Sequence, residues 1–158
     1  MTNNDILRRV RYSFDFKDST MVEIFALADV SVSAEQVKAW LKKDDMDGFE
    51  PMEDIELASF LNGLITLKRG ARECDKPVPE IRLNNNIILQ KLRIAMAFKA
   101  EDMLEVMRLA EFNISPHELS AFFRKPDNRK CKDQILRYFL LGLQLHMRSS
   151  KKQATSKS

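Results

Sequence analysis

A shift of 82 residues lays this chain over itself. Asn3-Asn4-Asp5-Ile6-Leu7-Arg8-Arg9-Val10-Arg11 falls on Asn85-Asn86-Ile87-Ile88-Leu89-Gln90-Lys91-Leu92-Arg93. Phe16-Lys17 then matches Phe98-Lys99, Leu27-Ala28 matches Leu109-Ala110, Ser33 matches Ser115, and Trp40-Leu41 matches Phe122-Phe123. After a gap of three residues, Phe60-Leu61-Asn62-Gly63-Leu64 lies on Phe139-Leu140-Leu141-Gly142-Leu143. Few features constrain a fold more. Any element read from one copy must also suit the other, and whatever occurs in one copy alone stands apart from fold-making.

Each copy reads as four helices. Ile6, Leu7, Val10 and Phe14 recur at helical spacing, as do Ile88, Leu89, Leu92 and Met96. The pairs Asn3-Asn4 and Asn85-Asn86 at the head of this segment suit either an N-cap or a buried asparagine cluster between the halves. Met21, Val22, Ile24 and Phe25, with Met103, Leu104, Val106 and Met107, mark a second helix with methionine as core filler. The third opens on a capping box, Ser33-Ala34-Glu35-Gln36 or Ser115-Pro116-His117-Glu118, flanked by the apolar pairs Val32/Val37 and Ile114/Leu119. The fourth is the most apolar, and Gly63 and Gly142 lie inside it. Glycine there costs about 1 kcal/mol against alanine, so its presence in both copies predicts a second backbone passing close by. The two fourth helices are expected at the centre, facing each other. Asn3, Asn4, Gly63, Asn85, Asn86 and Gly142 are the residues expected to pack one repeat on the other. No segment argues for a strand, so the fold class is all-α: two tandem four-helix repeats in one compact protein.

Composition sets the outer limits. With 158 residues, 44% of them hydrophobic, the chain can bury a real core. Residues 1–70 form the first repeat, 71–84 a linker with Pro77 and Pro79, and 85–147 the second repeat. Residues 148–158, nearly all polar, read as a disordered basic tail. Gly70 suits the end of a helix. No apolar run is long enough for a membrane helix, and Met1–Asp5 lacks the features of a signal peptide, so a cytoplasmic protein is expected. Cys74 and Cys131, single and in polar surroundings, read as reduced thiols without a shared role.

Templates for catalysis are missing. The sequence has no phosphate loop, no dinucleotide fingerprint and no Gly-x-Ser-x-Gly turn. Its two histidines, His117 and His146, have no His-x-x-x-His spacing. The acidic stretch Lys43–Glu50 resembles part of a calcium loop but places Lys43 at the lead ligand position, so it reads as a solvated loop. The chain is therefore expected to be no enzyme and to carry no cofactor and no metal.

Charge gives a further function class. The net charge is +3, but residues 1–70 hold nine basic and 13 acidic side chains, whereas residues 71–158 hold 17 and ten. Arg11, Lys17, Lys42 and Lys43 and their counterparts Arg93, Lys99, Arg124 and Lys125 keep basic character in both copies. They are the candidate contacts for a partner or for nucleic acid. The second and third helices of each copy are laid out like a helix-turn-helix, with Val37 and Trp40, or Leu119 and Phe122, as the apolar side of a recognition helix. Leu27 and Ser31, or Leu109 and Asn113, replace that motif's usual small residue and turn glycine, which makes the likeness degenerate.

The repeated Asn-Asn-x-Ile-Leu-x-x-Val/Leu-Arg openings, with Ser59-Phe60-Leu61-Asn62-Gly63-Leu64-Ile65 and Lys68-Arg69-Gly70, resemble the bacterial YehS-like family. The likeness covers residues 3 to about 147. It implies a bacterial, internally duplicated helical protein and carries over no catalytic residue. The function expected is thus a non-catalytic interaction or regulatory role. A macromolecular partner, another protein or a second copy, would be held on surfaces formed by the two repeats. Nucleic-acid binding is the alternative.

Overall fold

Spacing and caps produce the expected helices in the computed structural model, which describes residues 1–70, 77–125 and 127–156. Eight helices occur among the described residues: α1 (Asn3–Phe14), α2 (Asp18–Leu27), α3 (Ala34–Leu41), α4 (Asp54–Arg69), α5 (Asn85–Met96), α6 (Ala100–Leu109), α7 (Pro116–Ala121) and α8 (Asp133–Ser156). No strand occurs among the described residues, and none of these helices is long and apolar enough to cross a membrane.

The third-helix caps form as the sequence predicts. Ser33 Oγ accepts from Gln36 N at 3.0 Å and Ser115 Oγ from Glu118 N at 3.1 Å. The first-helix caps sit one residue earlier than the asparagine pairs suggest. Thr2 Oγ1 accepts from Asp5 N (3.1 Å), and Asn84 Oδ1 from Ile87 N (2.8 Å). Asn3, Asn4, Asn85 and Asn86 therefore lie inside their helices, with amides directed to tertiary contacts. At the other end of α1 and α5 the chain turns through the left-handed region at Asp15 (φ 57°) and Ala97 (φ 55°). There Phe16 N donates to Arg11 O and Phe98 N to Arg93 O, each at 3.1 Å, closing the helix end. Two unlike residues hold the same unfavourable angle, so the repeat specifies a backbone path beyond its side chains.

Within each repeat the fourth helix lies on the second. A Cβ built on Gly63 would stand 1.9 Å from Ile24 O, and one built on Gly142 would stand 1.9 Å from Val106 O. The expected close backbone is there, but it belongs to the same repeat: these glycines seat α4 on α2 and α8 on α6, and do not join the repeats. Between repeats, α4 packs on α5 and α8 packs on α1. The expectation that the fourth helices face each other is thus corrected. Each lies against the first helix of the other repeat, giving two seams related by a pseudo-twofold. Their apolar faces merge into one core that includes Leu7, Phe25, Phe60, Leu89, Phe122 and Phe139.

Composition predicts disorder after residue 147, yet α8 continues to Ser156. At the start of this extension the Arg148 guanidinium lies 4.6 Å from the centre of the Tyr12 ring on α1. Lys157 and Ser158, and the linker residues Ala71–Lys76 with Cys74, lie outside the described residues.

Candidate functional site

The four asparagines do one job in each repeat. Asn4 donates through Nδ2 to Trp40 O and Glu50 O, both at 2.9 Å, and accepts from Met52 N at 3.0 Å. Asn86 donates to Phe122 O (3.0 Å) and Arg129 O (2.7 Å) and accepts from Cys131 N at 2.9 Å. Each amide pins the loop between the third and fourth helices of its own repeat. Asn3 Nδ2 reaches Met52 O (3.1 Å) and Asp54 Oδ1 (2.7 Å), and Asn85 Nδ2 reaches Cys131 O (3.0 Å) and Asp133 Oδ1 (2.7 Å). The asparagines were expected to pack the repeats together, and the correction is that all four act within a repeat.

The link between repeats passes through the aspartates. Asp54 Oδ2 accepts from Leu83 N at 2.8 Å, just ahead of α5, and Asp133 Oδ2 takes the N-terminal ammonium of Met1 at 2.9 Å, just ahead of α1. Hydrogen bonds from Asn3 and then Leu83 hold the Asp54 carboxyl below the usual range. Those from Asn85 and then the N-terminus do the same for Asp133. A carboxylate with a depressed folded pKa adds stability above its unfolded pKa, about 4, and loses it as pH falls through the lower folded value. Thermal unfolding from pH 6 downward should thus show a fall in midpoint beginning near pH 4, flatter in the double variant Asp54→Asn/Asp133→Asn. An equally steep fall in that variant would dismiss the clamps as its source.

The eight basic candidates separate into engaged and exposed groups. Arg11 lies 3.8 Å from Asp18, and Lys42 Nζ donates to Asp47 O (2.9 Å) inside its own loop. Arg93 donates to Phe98 O (3.2 Å) and covers the Phe123 ring at 4.7 Å. Lys17, Lys43, Lys99, Arg124 and Lys125 are exposed. Lys17 and Lys99 stand at the starts of α2 and α6, while Arg124 and Lys125 begin the loop into α8. That loop also exposes Arg129, Lys130 and Lys132. Its counterpart in the first repeat carries Asp44, Asp45, Asp47 and Glu50 instead. The helix-turn-helix likeness gains little: Glu35 and Lys38 are exposed on α3, and α7 is only six residues long.

The seams differ most. Pro77–Leu83 runs over the α4/α5 seam: Pro77 O accepts from Asn62 Nδ2 at 3.5 Å, and Glu80 Oε1 lies 3.0 Å from Lys91 Nζ. Pro77 and Glu80 line one side of a partly open cavity of about 540 Å³ there. On the α1/α8 seam the corresponding positions are open. Tyr12 is 56% exposed, Leu141 40% and Leu145 37%, where the covered seam has Ile94, Asn62 and Thr66. Arg8, Arg9 and Arg137, with Asp5 paired to Arg8, line a cleft of about 330 Å³ beside Met1 at the same seam, and Arg148 lies over Tyr12.

Residues 3–70 and 85–149 each match one family, described as "Protein of unknown function (DUF1456)". The chain belongs to this family. It is also 48% identical, over 147 residues, to "Uncharacterized protein YehS" of Escherichia coli (strain K12), covering 90% of this chain and 94% of that protein. No solved structure matches significantly. The doubled family match coincides with the two repeats, so Asp54 and Asp133, the asparagine pins and the glycine contacts fall inside matched segments, while the clamp partners Leu83 and Met1 lie just outside them. Sequence reasoning passed over Asp54, Asp133 and Lys91. The two aspartates had a usable signal, because in the register after the gap they are the same position. Lys91 had none, since its counterpart Arg9 is an exposed surface residue.

Cys131 is not in polar surroundings, as its neighbours in sequence suggest. It is free and 1% exposed, at the position of Met52 in the first repeat, and burial followed by the nearby Asp133 charge pushes its thiol up to about 12. It serves as a small core side chain.

Proposed function

We propose that this is a cytoplasmic, non-catalytic interaction protein that binds an extended segment of another protein along the open α1/α8 seam. The observation that carries the reading is the contrast between seams. One of two pseudo-equivalent surfaces is covered by irregular chain, which itself exposes Val78 and Ile81, while on the other Tyr12, Leu141 and Leu145 of the helices themselves are exposed. Arg9, Arg137 and Arg148 around that apolar strip favour a segment combining acidic and apolar residues. A non-catalytic role is supported by the scatter of reactive groups. His117 is exposed at the start of α7, His146 stands edge-on to Phe98 with centroids 5.4 Å apart, and the Cys131 thiol is buried.

Affinity capture with paired baits tests this. Leu141→Arg changes an already exposed side chain and should leave folding intact. A partner recovered reproducibly by the unaltered protein should be lost with Leu141→Arg and weakened with Arg9→Glu. Identical recovery with all three baits would defeat the proposal. A concentration-dependent dimer abolished by Leu141→Arg would assign the seam to a second copy of the chain.

A second reading, nucleic-acid binding, has one observation in its favour: Arg124, Lys125, Arg129, Lys130 and Lys132 are all exposed on the loop before α8. Mobility shifts with duplex DNA and RNA over a salt series address it. Absence of binding at about 50 mM salt, where phosphate contacts are strong, would remove it.

A further inference from the structure

We propose that the cavity under the α4/α5 seam binds a small apolar carboxylate, with its head group at Lys91. Lys91 is 8% exposed, and its ammonium lies 2.6 Å from Asn62 Oδ1 and 3.0 Å from Glu80 Oε1. A buried ammonium is costly unless oxygen acceptors surround it, so a sequence keeps one where it has use for the charge. Packing of the seam does not require it. At the pseudo-equivalent α1/α8 seam the same helix pair meets with an exposed Arg9 in place of Lys91 and Leu141 in place of Asn62. The polar pair therefore belongs to the seam whose cavity is about 540 Å³, against about 330 Å³ for the cleft on the other.

The cavity's chemistry defines its ligand. Its volume, about 540 Å³, is within the range of small-molecule sites. Ile65, Ile87, Ile94 and Phe123 give it apolar walls, while Arg69 and Lys125 add two cations against one carboxylate, Glu80, among the described lining residues. That excess of positive charge selects an anion, and the walls select an apolar body. Glu80 itself shows a carboxylate beside the ammonium. It sits on irregular chain outside any helix, and its side chain is one-third exposed, so an incoming carboxylate can share Lys91 with it or displace it.

Titration calorimetry of the full chain with three probes sharing one tail tests the proposal: decanoate, decanol and decylammonium. Decanoate should bind one to one. Decanol should bind about tenfold or more weakly, the loss expected when a charge-assisted hydrogen bond is missing, and decylammonium should give no heat of binding. Glu80→Gln should bind decanoate as well as or better than the unaltered protein, and Lys91→Met should lose it. The comparison of probes needs no variant, so it stands even if Lys91→Met folds poorly. No binding by any probe, or equal binding of decanoate and decanol, overturns the proposal. Leu141→Arg on the opposite seam should leave decanoate binding unchanged, which separates this outcome from that of the partner-binding reading.

Discussion

Replacing Gly63 with alanine is expected to cost about 3–5 kcal/mol, at the upper end of what one substitution does. The added methyl would stand 1.9 Å from the carbonyl oxygen of Ile24, and a backbone oxygen cannot rotate aside as a side chain can. The α2 and α4 helices would have to move apart, loosening contacts around Phe25 and Phe60, whose ring centroids are 5.4 Å apart. The gain in helix propensity, about 1 kcal/mol, is too small to compensate. Gly142→Ala should behave alike, because its Cβ would meet Val106 O at the same distance. Against a total stability of about 5–15 kcal/mol, either change should lower the unfolding midpoint by roughly 10 °C or more. Circular dichroism melts of the two variants decide it. A loss of only a few degrees in both would mean that the helices can separate freely, and would break the link between the glycines and this close approach.

Substitution of Asn4 or Asn86 comes second. Each amide uses both protons and its oxygen on three backbone groups, one at the end of the third helix and two in the loop that follows, in a largely buried setting. Asn4→Ala leaves Trp40 O and Met52 N without that partner, at a cost of about 3 kcal/mol or more. The informative variant is Asn4→Asp, which has nearly the same shape. A carboxylate cannot donate, so it would face the carbonyls of Trp40 and Glu50 as a like charge, and the loss should equal or exceed that of alanine. Chemical unfolding of Asn4→Ala, Asn4→Asp, Asn86→Ala and Asn86→Asp measures all four. If aspartate is markedly better tolerated than alanine, the two donated bonds are not what holds the loop.

The helices were legible because their signals are local and occur twice. Ser33 and Ser115 each announce a cap within three residues, and Val37, Trp40, Leu119 and Phe122 show their buried face by spacing alone. Assignments failed where the deciding partner is remote in sequence. Asn4 looks like a cap because caps and tertiary pins use the same side chain, and its partners lie 36 to 48 residues away. Gly63 revealed that a backbone passes near, while its spacing said nothing about whether that backbone was α2 or the other repeat. Of the candidate sites, the basic loop at Arg124 could be read as charge. The cavity could not, because it depends on Glu80 folding back over Lys91 across a linker without periodicity.

The exchange of fourth helices has a consequence for how the molecule can change. With α4 on α5 and α8 on α1, the arrangement matches that of a symmetric homodimer with its two subunits joined in one chain. In a true homodimer every mutation strikes both interfaces at once. Joined end to end, the halves are released from that constraint, and each interface can be altered alone. Lys91 and Asn62 on one side, with Tyr12 and Leu141 on the other, are what such independence looks like: two equivalent contact surfaces carrying different side chains.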